Sequence, residues 1–245
     1  MEPDPIRKPA NDPNVKPASR RFRPLDLLEF GYFDPSAPIA CFDGNLPHWR
    51  QDGVIYFVTF RSADSLPQQK LRLWRSERHE WLLRHPEPLT PDQKSEYWRL
   101  FPERAHQWLD AGYGECLLVR PEVRQIVVDA LDHFDGARYR LHSWVVMPNH
   151  VHAVVSPFAE NGLSQILQSW KSFTSKAINK LLARTGTFWQ KESFDHLVRS
   201  PESLERIDAY ILANPASLQP GTFTLSPNLQ TRRDAASTLK TPRLL

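Results

Sequence analysis

The chain has 245 residues, of which 40% are hydrophobic and 24% charged, and its formal net charge is +3. This composition is typical of a globular protein, and no run of 18 apolar residues predicts a transmembrane helix, so we expect no membrane partner. The residues near Met1 have no apolar h-region, so we expect no secretory signal. The two cysteines, Cys41 and Cys116, are too few for a disulfide framework or a cysteine-rich zinc site, so we expect a cytoplasmic protein.

The positive charge is concentrated at the two ends of the chain. Residues 1–24 carry six basic and three acidic side chains and residues 221–245 carry four and one, so residues 25–220 sum to −3. We predict a disordered, proline-rich basic arm over 1–40, one domain over 41–225 and a disordered tail over 226–245. A basic end can hold a phosphate backbone, and a solvated end explains the same charge.

The first half of the predicted domain contains one strand and several helices. Residues 54–60 form a continuous run of β-branched and aromatic side chains, which predicts a buried strand. Residues 66–109 are polar, bear four tryptophans and are interrupted by prolines, which predicts a helical insert of two or three helices. Pro121 begins a helix whose apolar residues recur at helical spacing and which Gly136 closes.

The second half returns to strands and then to two helices. A strand from Tyr139 leads into the apolar run that ends at Val155, and an amphipathic helix follows from Leu163. After a loop or short strand at 188–190, a last helix begins near Pro201 and ends at Asn214. Strands separated by helices in this order predict an α+β fold, with one sheet covered by helices.

His150 and His152 stand two positions apart in a predicted strand. Both imidazoles therefore project from the same face of the sheet. Two adjacent imidazoles make half of a divalent metal site and need a further ligand from elsewhere. The alternative is a pair of hydrogen-bonded sheet histidines, and a three-histidine hydrolase pattern is disfavoured because the third position is Val154.

Tyr210 and Asn214 are four residues apart in the last predicted helix and so lie on one face of it. The apolar stripe of that helix, which includes Leu204, Ile207 and Ile211, does not depend on the tyrosine. A phenol and an amide oxygen one turn apart can bring a nucleophile and a metal ligand to one phosphate. A packing tyrosine and an ordinary helix end before a proline are the alternatives.

Six short segments occur in an order that resembles the REP-associated tyrosine transposases, relatives of the insertion-sequence transposases in the HUH single-strand nuclease superfamily. The segments are Asn45-Leu46-Pro47-His48-Trp49, Tyr56-Phe57-Val58-Thr59-Phe60-Arg61, Met147-Pro148-Asn149-His150-Val151-His152, Trp170-Lys171-Ser172-Phe173, Phe188-Trp189-Gln190 and Tyr210-Ile211-Leu212-Ala213-Asn214-Pro215. The resemblance covers about residues 45–220. After Pro215 the chain reads Ala-Ser-Leu-Gln-Pro-Gly, where the family commonly has valine and a basic, glycine-containing turn.

The resemblance implies the HUH fold, a ferredoxin-like or RRM-like antiparallel sheet backed by helices, here with the helical insert. It implies that His150, His152 and Asn214 hold Mg²⁺ or Mn²⁺, and that Tyr210 attacks a phosphate in single-stranded DNA. The products would be a 5′-phosphotyrosine and a free 3′-hydroxyl. The enzyme expected is a metal-dependent tyrosine transposase and single-strand endonuclease. It would act at hairpins of repeated extragenic palindromes, as a monomer or homodimer associated with the nucleoid.

DNA contacts are expected from basic, aromatic and amide side chains on the helix after the histidine strand and around the segment 188–199. Lysines can bind phosphates and an aromatic ring can stack on a base, while a solvated helix face or a core tryptophan are the alternatives. The candidates are Arg61, Lys171, Lys176, Lys180, Trp189, Gln190, Lys191 and Arg199.

Two other functions compete with the transposase hypothesis. A hairpin DNA-binding protein without catalytic turnover would not need the four residues at 150, 152, 210 and 214 that the family uses. An RNA-binding module on an RRM-like sheet would show an aromatic strand pattern that this sequence lacks. The sequence leaves open the hairpin, the cleavage site, the oligomeric state, and whether the insert is a dimer surface, a DNA clamp or a covering layer.

Overall fold

Seven strands form two antiparallel sheets in the computed structural model, which describes residues 30–38, 40–42, 48–86, 88–158 and 160–239. The strands are β1 (Ala40–Phe42), β2 (His48–Arg50), β3 (Tyr56–Arg61), β4 (Tyr139–Val146), β5 (His150–Pro157), β6 (Phe194–Leu197) and β7 (Thr224–Leu225). The helices are α1 (Gln68–Arg84), α2 (Pro91–Trp98), α3 (Arg104–Asp110), α4 (Pro121–Asp132), α5 (Leu163–Leu181), α6 (Pro201–Ala213) and α7 (Pro227–Leu239).

The main sheet has the order β6-β3-β5-β4-β7, and every pairing in it is antiparallel. Strands β3, β4, β5 and β6, with helices before β4 and after β5, follow the β-α-β-β-α-β pattern of ferredoxin-like folds. The two central strands are β3 and β5, in a register that pairs Arg61 with His150 and Thr59 with His152. The α+β, ferredoxin-like sheet backed by helices that the sequence predicts is confirmed.

The two faces of this sheet bury different sets of side chains, because successive residues of a strand point to opposite faces. On β5, Val151, Ala153 and Val155 belong to the core that includes α4 and α5. Val154 belongs to the core on the other face, with α6 and α7, and His150 and His152 alternate with it toward that face. The histidine pair is therefore directed toward the helix that carries Tyr210.

The helices α1, α2 and α3 form the insert between β3 and α4, in agreement with the helices predicted over about 66–109. They have their own aromatic cluster, in which Trp74, Trp81 and Phe101 are buried and against which Phe194 of β6 packs. A π-helical turn at Arg99–Glu103 joins α2 to α3. The insert thus folds around tryptophans that the main core does not use, and it rests on the edge strand of the sheet.

The chain enters and leaves the insert at one point. The carboxylate of Asp64 accepts a hydrogen bond of 2.7 Å from the backbone N–H of Glu115. Gly114 beside it has a φ of +92°, and a Cβ atom at this position would lie 2.7 Å from Cγ of Asp64. Only glycine fits both the left-handed backbone and the close approach to Asp64. We call the point where Asp64 and Glu115 meet the neck of the insert, and Gly114 allows the chain to close there.

Each of the two predicted disordered ends includes residues that the structure places in the domain. Phe30 is buried and Gly31 pairs with Val54, so the described residues from 30 onward belong to the domain rather than to an arm over 1–40. The predicted tail over 226–245 is wrong for Pro227–Leu239, which form α7, because Leu229 is fully buried in the core shared with α6. Residues 1–29, 43–47 and 240–245 lie outside the described residues. Across the described ranges, none of the helices combines the length and the apolar character that crossing a membrane requires.

Candidate active site

The two histidines of β5 meet edge to edge in the interior of the protein. Both side chains are fully buried, and their Nε2 atoms lie 3.1 Å apart. The opposite ring nitrogens are held from the sheet: His152 Nδ1 lies 2.7 Å from the hydroxyl of Thr59, and His150 Nδ1 lies 2.8 Å from Oδ1 of Asn149. Both rings are thereby oriented with Nε2 toward the same point.

The amide of Asn149 determines which nitrogen of His150 carries the proton. Its Nδ2 donates a hydrogen bond of 2.9 Å to the backbone oxygen of Tyr113, which orients the amide and leaves Oδ1 facing His150. Because an amide oxygen only accepts hydrogen bonds, Nδ1 of His150 must donate the proton. Nε2 of His150 then presents a lone pair toward His152, the arrangement in which a metal-bound imidazole is held by a second hydrogen-bonding group.

Helix α6 carries Tyr210 and ends at Asn214, beside the histidines. The helix begins after Ser200, whose hydroxyl accepts a hydrogen bond from the backbone N–H of Ser203. Its buried stripe packs on the histidine face of the sheet. As a result the hydroxyl of Tyr210 lies 3.4 Å from Nε2 of His152, and Nδ2 of Asn214 lies 3.4 Å from the same atom.

The amide of Asn214 is oriented with its nitrogen toward His152, but the two orientations of an amide are distinguished only by their hydrogen bonds. Its Oδ1 is buried and has no hydrogen-bond partner among the residues that the structure describes. Turning the amide by half a rotation exchanges the nitrogen for the oxygen, which is the atom that binds a cation. The four residues that the sequence selects, at 150, 152, 210 and 214, thus lie together.

Asp110 is a residue of this site that the sequence analysis did not select. It is the last residue of α3, and its Oδ1 lies 3.7 Å from Nε2 of His150. One ligand atom from each of Asp110, His150 and His152 lies within 4.8 Å of the others. Burial raises the pKa of Asp110 to about 6, and a hydrogen bond from Asn214 opposes that rise. Nothing in the local sequence marks it, because the insert brings it from 40 residues before His150 in the chain.

Burial also raises the pKa of the Tyr210 hydroxyl, and the nearby carboxylate of Asp110 raises it further, while a hydrogen bond with Asn214 acts in the opposite direction. Phe57 contacts the tyrosine edge to face and stacks on His152, with ring centroids 6.2 Å and 5.4 Å away. The phenol is therefore protonated at neutral pH, and its ring is held in place by an aromatic neighbour. A cation beside the phenol would oppose both effects that raise its pKa.

The donor set suits an ion of the Mg²⁺ or Mn²⁺ class that also accepts nitrogen ligands. Two bonds of about 2.1 Å at a right angle separate their ligand atoms by about 3.0 Å, close to the 3.1 Å between the two Nε2 atoms. A carboxylate at Asp110 and the amide oxygen of Asn214 add hard oxygen ligands, which Mg²⁺ and Mn²⁺ prefer. The residues present therefore fit such an ion.

Four of the predicted DNA-binding residues line one cavity of about 670 Å³ between α5 and the segment before β6. Lys171, Gln190 and Lys191 line it, and Trp189 forms part of its wall. The Lys171 ammonium donates to the backbone oxygen of Lys191 and to the hydroxyl of Ser193. Burial lowers the pKa of Lys171 to about 8, with a smaller contribution from Arg61.

Two predicted DNA-binding residues are interior side chains in this structure. Trp189 is buried against Phe60 and donates from its indole N–H to the hydroxyl of Thr174, so its ring offers no face to a base. Arg61 is buried and donates to Ser65, and its pKa is lowered to about 10 mainly by burial. The prediction of direct DNA contacts by these two residues is not supported by their positions.

The remaining candidates are at the surface or in a loop contact. Lys176, Lys180 and Arg199 are exposed, and the guanidinium of Arg199 lies over the ring of Phe33. Gln190 donates from its side chain to the backbone oxygen of Ala63. Lys176 and Lys180 are on α5, the helix that also carries Lys171, but outside the cavity.

Comparisons with known proteins show what the central part of the chain is similar to. Residues 118–214 match the model of the family described as transposase, IS200 like, so the resemblance drawn from the sequence is confirmed over that segment. A solved structure of a REP-associated tyrosine transposase bound to a REP hairpin is 14% identical, with a TM-score of 0.38, over 70% of this chain and 73% of that chain. A search of curated proteins returned no match.

Proposed function

We propose that this protein cleaves single-stranded DNA and transfers the cut strand through a 5′-phosphotyrosine intermediate on Tyr210, in the presence of Mg²⁺ or Mn²⁺. The observation that carries the proposal is the position of the Tyr210 hydroxyl, 3.4 Å from the histidine whose Nε2 faces a second histidine, an amide and a carboxylate. A nucleophile and a set of metal ligands at one point suit the attack on a phosphodiester. The match of residues 118–214 to IS200-like transposases supports the same chemistry.

His150, His152, Asn214 and Asp110 would hold the divalent ion. Once bound, the ion withdraws charge from the phosphate oxygens and orients the ester for in-line attack. The hydroxyl of Thr59 and the amide of Asn149 support the two imidazoles from the side opposite the ion. These hydrogen bonds hold both rings before the substrate arrives, so the ligands do not have to reorganise.

Tyr210 would act as the nucleophile. Its oxygen forms a bond to phosphorus, the bond between phosphorus and the 3′ oxygen of the preceding nucleotide breaks, and that oxygen leaves as a 3′-hydroxyl. The proton lost by the phenol is balanced by the proton gained by the leaving oxygen. Because the phosphotyrosine is again a phosphodiester, a second 3′-hydroxyl can reverse the step and join a new strand without ATP.

DNA would lie along the basic cavity beside α5 as well as at the tyrosine. Arg50, Lys171 and Lys191 supply positive charge there, in excess of the carboxylates of Glu192 and Asp195, and phosphate contacts of this kind position a strand without reading its sequence. The family resemblance favours hairpins of repeated extragenic palindromes as the substrate. It also favours action at the nucleoid, by a monomer or a homodimer.

The test is a denaturing gel of the full chain incubated with circular single-stranded DNA in Mn²⁺ or in EDTA. A covalent protein–DNA adduct is expected in Mn²⁺ only, and Tyr210→Phe should reduce it by roughly a thousandfold or more, because the variant removes the nucleophile. Tyr97→Phe is the matched control, since that tyrosine lies in the insert and contacts Arg78. An undiminished adduct with Tyr210→Phe would exclude the tyrosine as nucleophile, and hairpin binding without any adduct would favour the binding protein.

A further inference from the structure

A second cavity, of about 550 Å³, opens directly beside Tyr210 and lies between the insert and α6. Tyr210 and Asp110 line it at the end where the histidines lie, so it is continuous with the candidate active site. When the scissile phosphate of a DNA strand lies at Tyr210, a nucleotide next to that phosphate must lie close to this cavity. This cavity is of the size that encloses a small ligand.

The walls of this cavity suit a base better than a phosphate. Phe57 and Ile207 are buried and make the floor of the cavity apolar, and the half-buried rings of His196 and Tyr210 are the aromatic surfaces that line it. Burial lowers the pKa of His196 to about 4, so the ring is neutral at pH 7 and adds no positive charge. Of the charged residues that line the cavity, Glu103 and Asp110 are acidic and Arg206 is basic, so it has no excess of positive charge to hold a phosphate.

The polar rim of the cavity comes from two helices, α6 of the main domain and α3 of the insert. Ser203 and Arg206 of α6 form one side, and Gln107 of α3 forms the other, one helical turn before Asp110. Gln107 is exposed, and its carboxamide offers donors and an acceptor to the edge of a base. Unpaired bases are recognised in this way, by a stacked face together with hydrogen bonds to an edge.

We infer that the cavity between α3 and α6 binds one unpaired nucleobase next to the scissile phosphate, and that Gln107 of the insert selects which base is accepted. The inference rests on the proposed function for the position of the phosphate. It assigns the insert a role in substrate selection, beyond that of a covering layer. The basic cavity beside α5 holds backbone, whereas this cavity reads a base.

The experiment selects bound strands from a pool of short random single-stranded DNA and sequences them. The full chain carries Tyr210→Phe, so that cleavage does not alter the pool, and it is compared with the same chain carrying Gln107→Ala in addition. The matched control adds Gln69→Ala, another exposed glutamine of the insert, at the start of α1 and away from the cavity. Thermal unfolding of the three proteins checks that the insert remains folded.

The expected result is a preference for one base at one position by roughly tenfold, lost with Gln107→Ala and kept with Gln69→Ala. Three results would overturn the inference: no preferred base in the Tyr210→Phe background, the same preference after Gln107→Ala, or an equal loss of binding to every strand. The adduct assay with the unmodified chain is run in parallel. A missing adduct with a Gln107-dependent preference contradicts only the proposed chemistry, and an adduct with an unchanged preference contradicts only the role of Gln107.

Discussion

The two faces of strand β5 are equally buried but differ in chemistry, one apolar and the other polar. Toward α4 and α5 it presents Val151, Ala153 and Val155, all of them fully buried in an apolar core. Toward α6 it presents His150 and His152, equally buried but held by hydrogen bonds. The apolar packing on one face therefore keeps β5 rigid, and this rigidity holds the Nε2 atoms of the two imidazoles on the other face 3.1 Å apart.

The largest effect on stability is expected on the apolar face. Ile178→Ala removes a fully buried side chain of α5, and the cavity it leaves should lower the free energy of unfolding by about 4 kcal/mol. Phe173→Ala on the exposed side of the same helix, where the ring is 58% exposed, should change it by less than about 0.5 kcal/mol. Chemical denaturation of both variants measures the difference, and equal losses would contradict the packing of the Ile178 side of α5 against the apolar face of the sheet.

The next effect concerns a third buried histidine, His142, whose Nε2 lies 2.8 Å from the hydroxyl of Ser156. Burial lowers its pKa from 6.5 to about 4. As pH falls below 6.5 the unfolded chain takes up this proton before the folded one does. The stabilisation is therefore complete above pH 6.5, and about 3 kcal/mol of it is lost by pH 4.

His142→Asn removes that titration and keeps a polar partner for Ser156, so its free energy of unfolding should fall less steeply between pH 6.5 and 4. His133→Asn is the control, because His133 is exposed at the end of α4. Denaturant titrations across this pH range give the slopes. Parallel slopes for His142→Asn and the unmodified chain would show that His142 is not the group responsible.

The smallest of the three effects is expected at Asn149, whose amide oxygen accepts a hydrogen bond from His150. Asn149→Ala removes the acceptor that orients His150, and should weaken Mn²⁺ binding roughly tenfold without large loss of stability. His152→Ala, which removes a proposed ligand, should weaken it more. The concentration of free Mn²⁺, followed by electron paramagnetic resonance, measures both, with Asn179→Ala on α5 as the control. Unchanged binding in Asn149→Ala would mean that the amide does not prepare His150 for the ion.

The elements that the sequence predicts well are those with a long β-branched or apolar run or a clear helical period. The strand at 54–60, the histidine strand and the long helix from Leu163 are found within a few residues of the prediction. In the histidine strand, the two-residue spacing also indicates that both imidazoles take the same face. Residues 226–245 have no apolar periodicity and so predict a disordered tail, yet Leu229 of α7 is buried in the core, Asn228 donates to the backbone oxygen of His142 and Arg233 lies over the ring of Phe223. Contacts of this kind leave no periodic pattern in the sequence.

The site was predictable only where its residues lie close together in the chain. His150 and His152, and Tyr210 and Asn214, are each joined by a short spacing, and both pairs meet in the structure. Asp110 escaped notice because it reaches His150 through the packing of the insert, which no local pattern encodes. The sequence predicts that Trp189 contacts DNA, whereas the hydrogen bond from its indole N–H to the hydroxyl of Thr174, 15 positions away, places it in the interior.

The neck formed by Asp64 and Glu115 has a consequence for how this protein can vary. The two residues are 51 positions apart and joined by one hydrogen bond, so the two ends of the insert meet and the segment between them forms a closed loop. In such a loop each doubling of length costs only about 0.6 kcal/mol of closure entropy. A change in the length of the insert would therefore cost little closure entropy, and it would alter the surface that a strand meets while His150, His152 and Tyr210 stay on elements outside the insert.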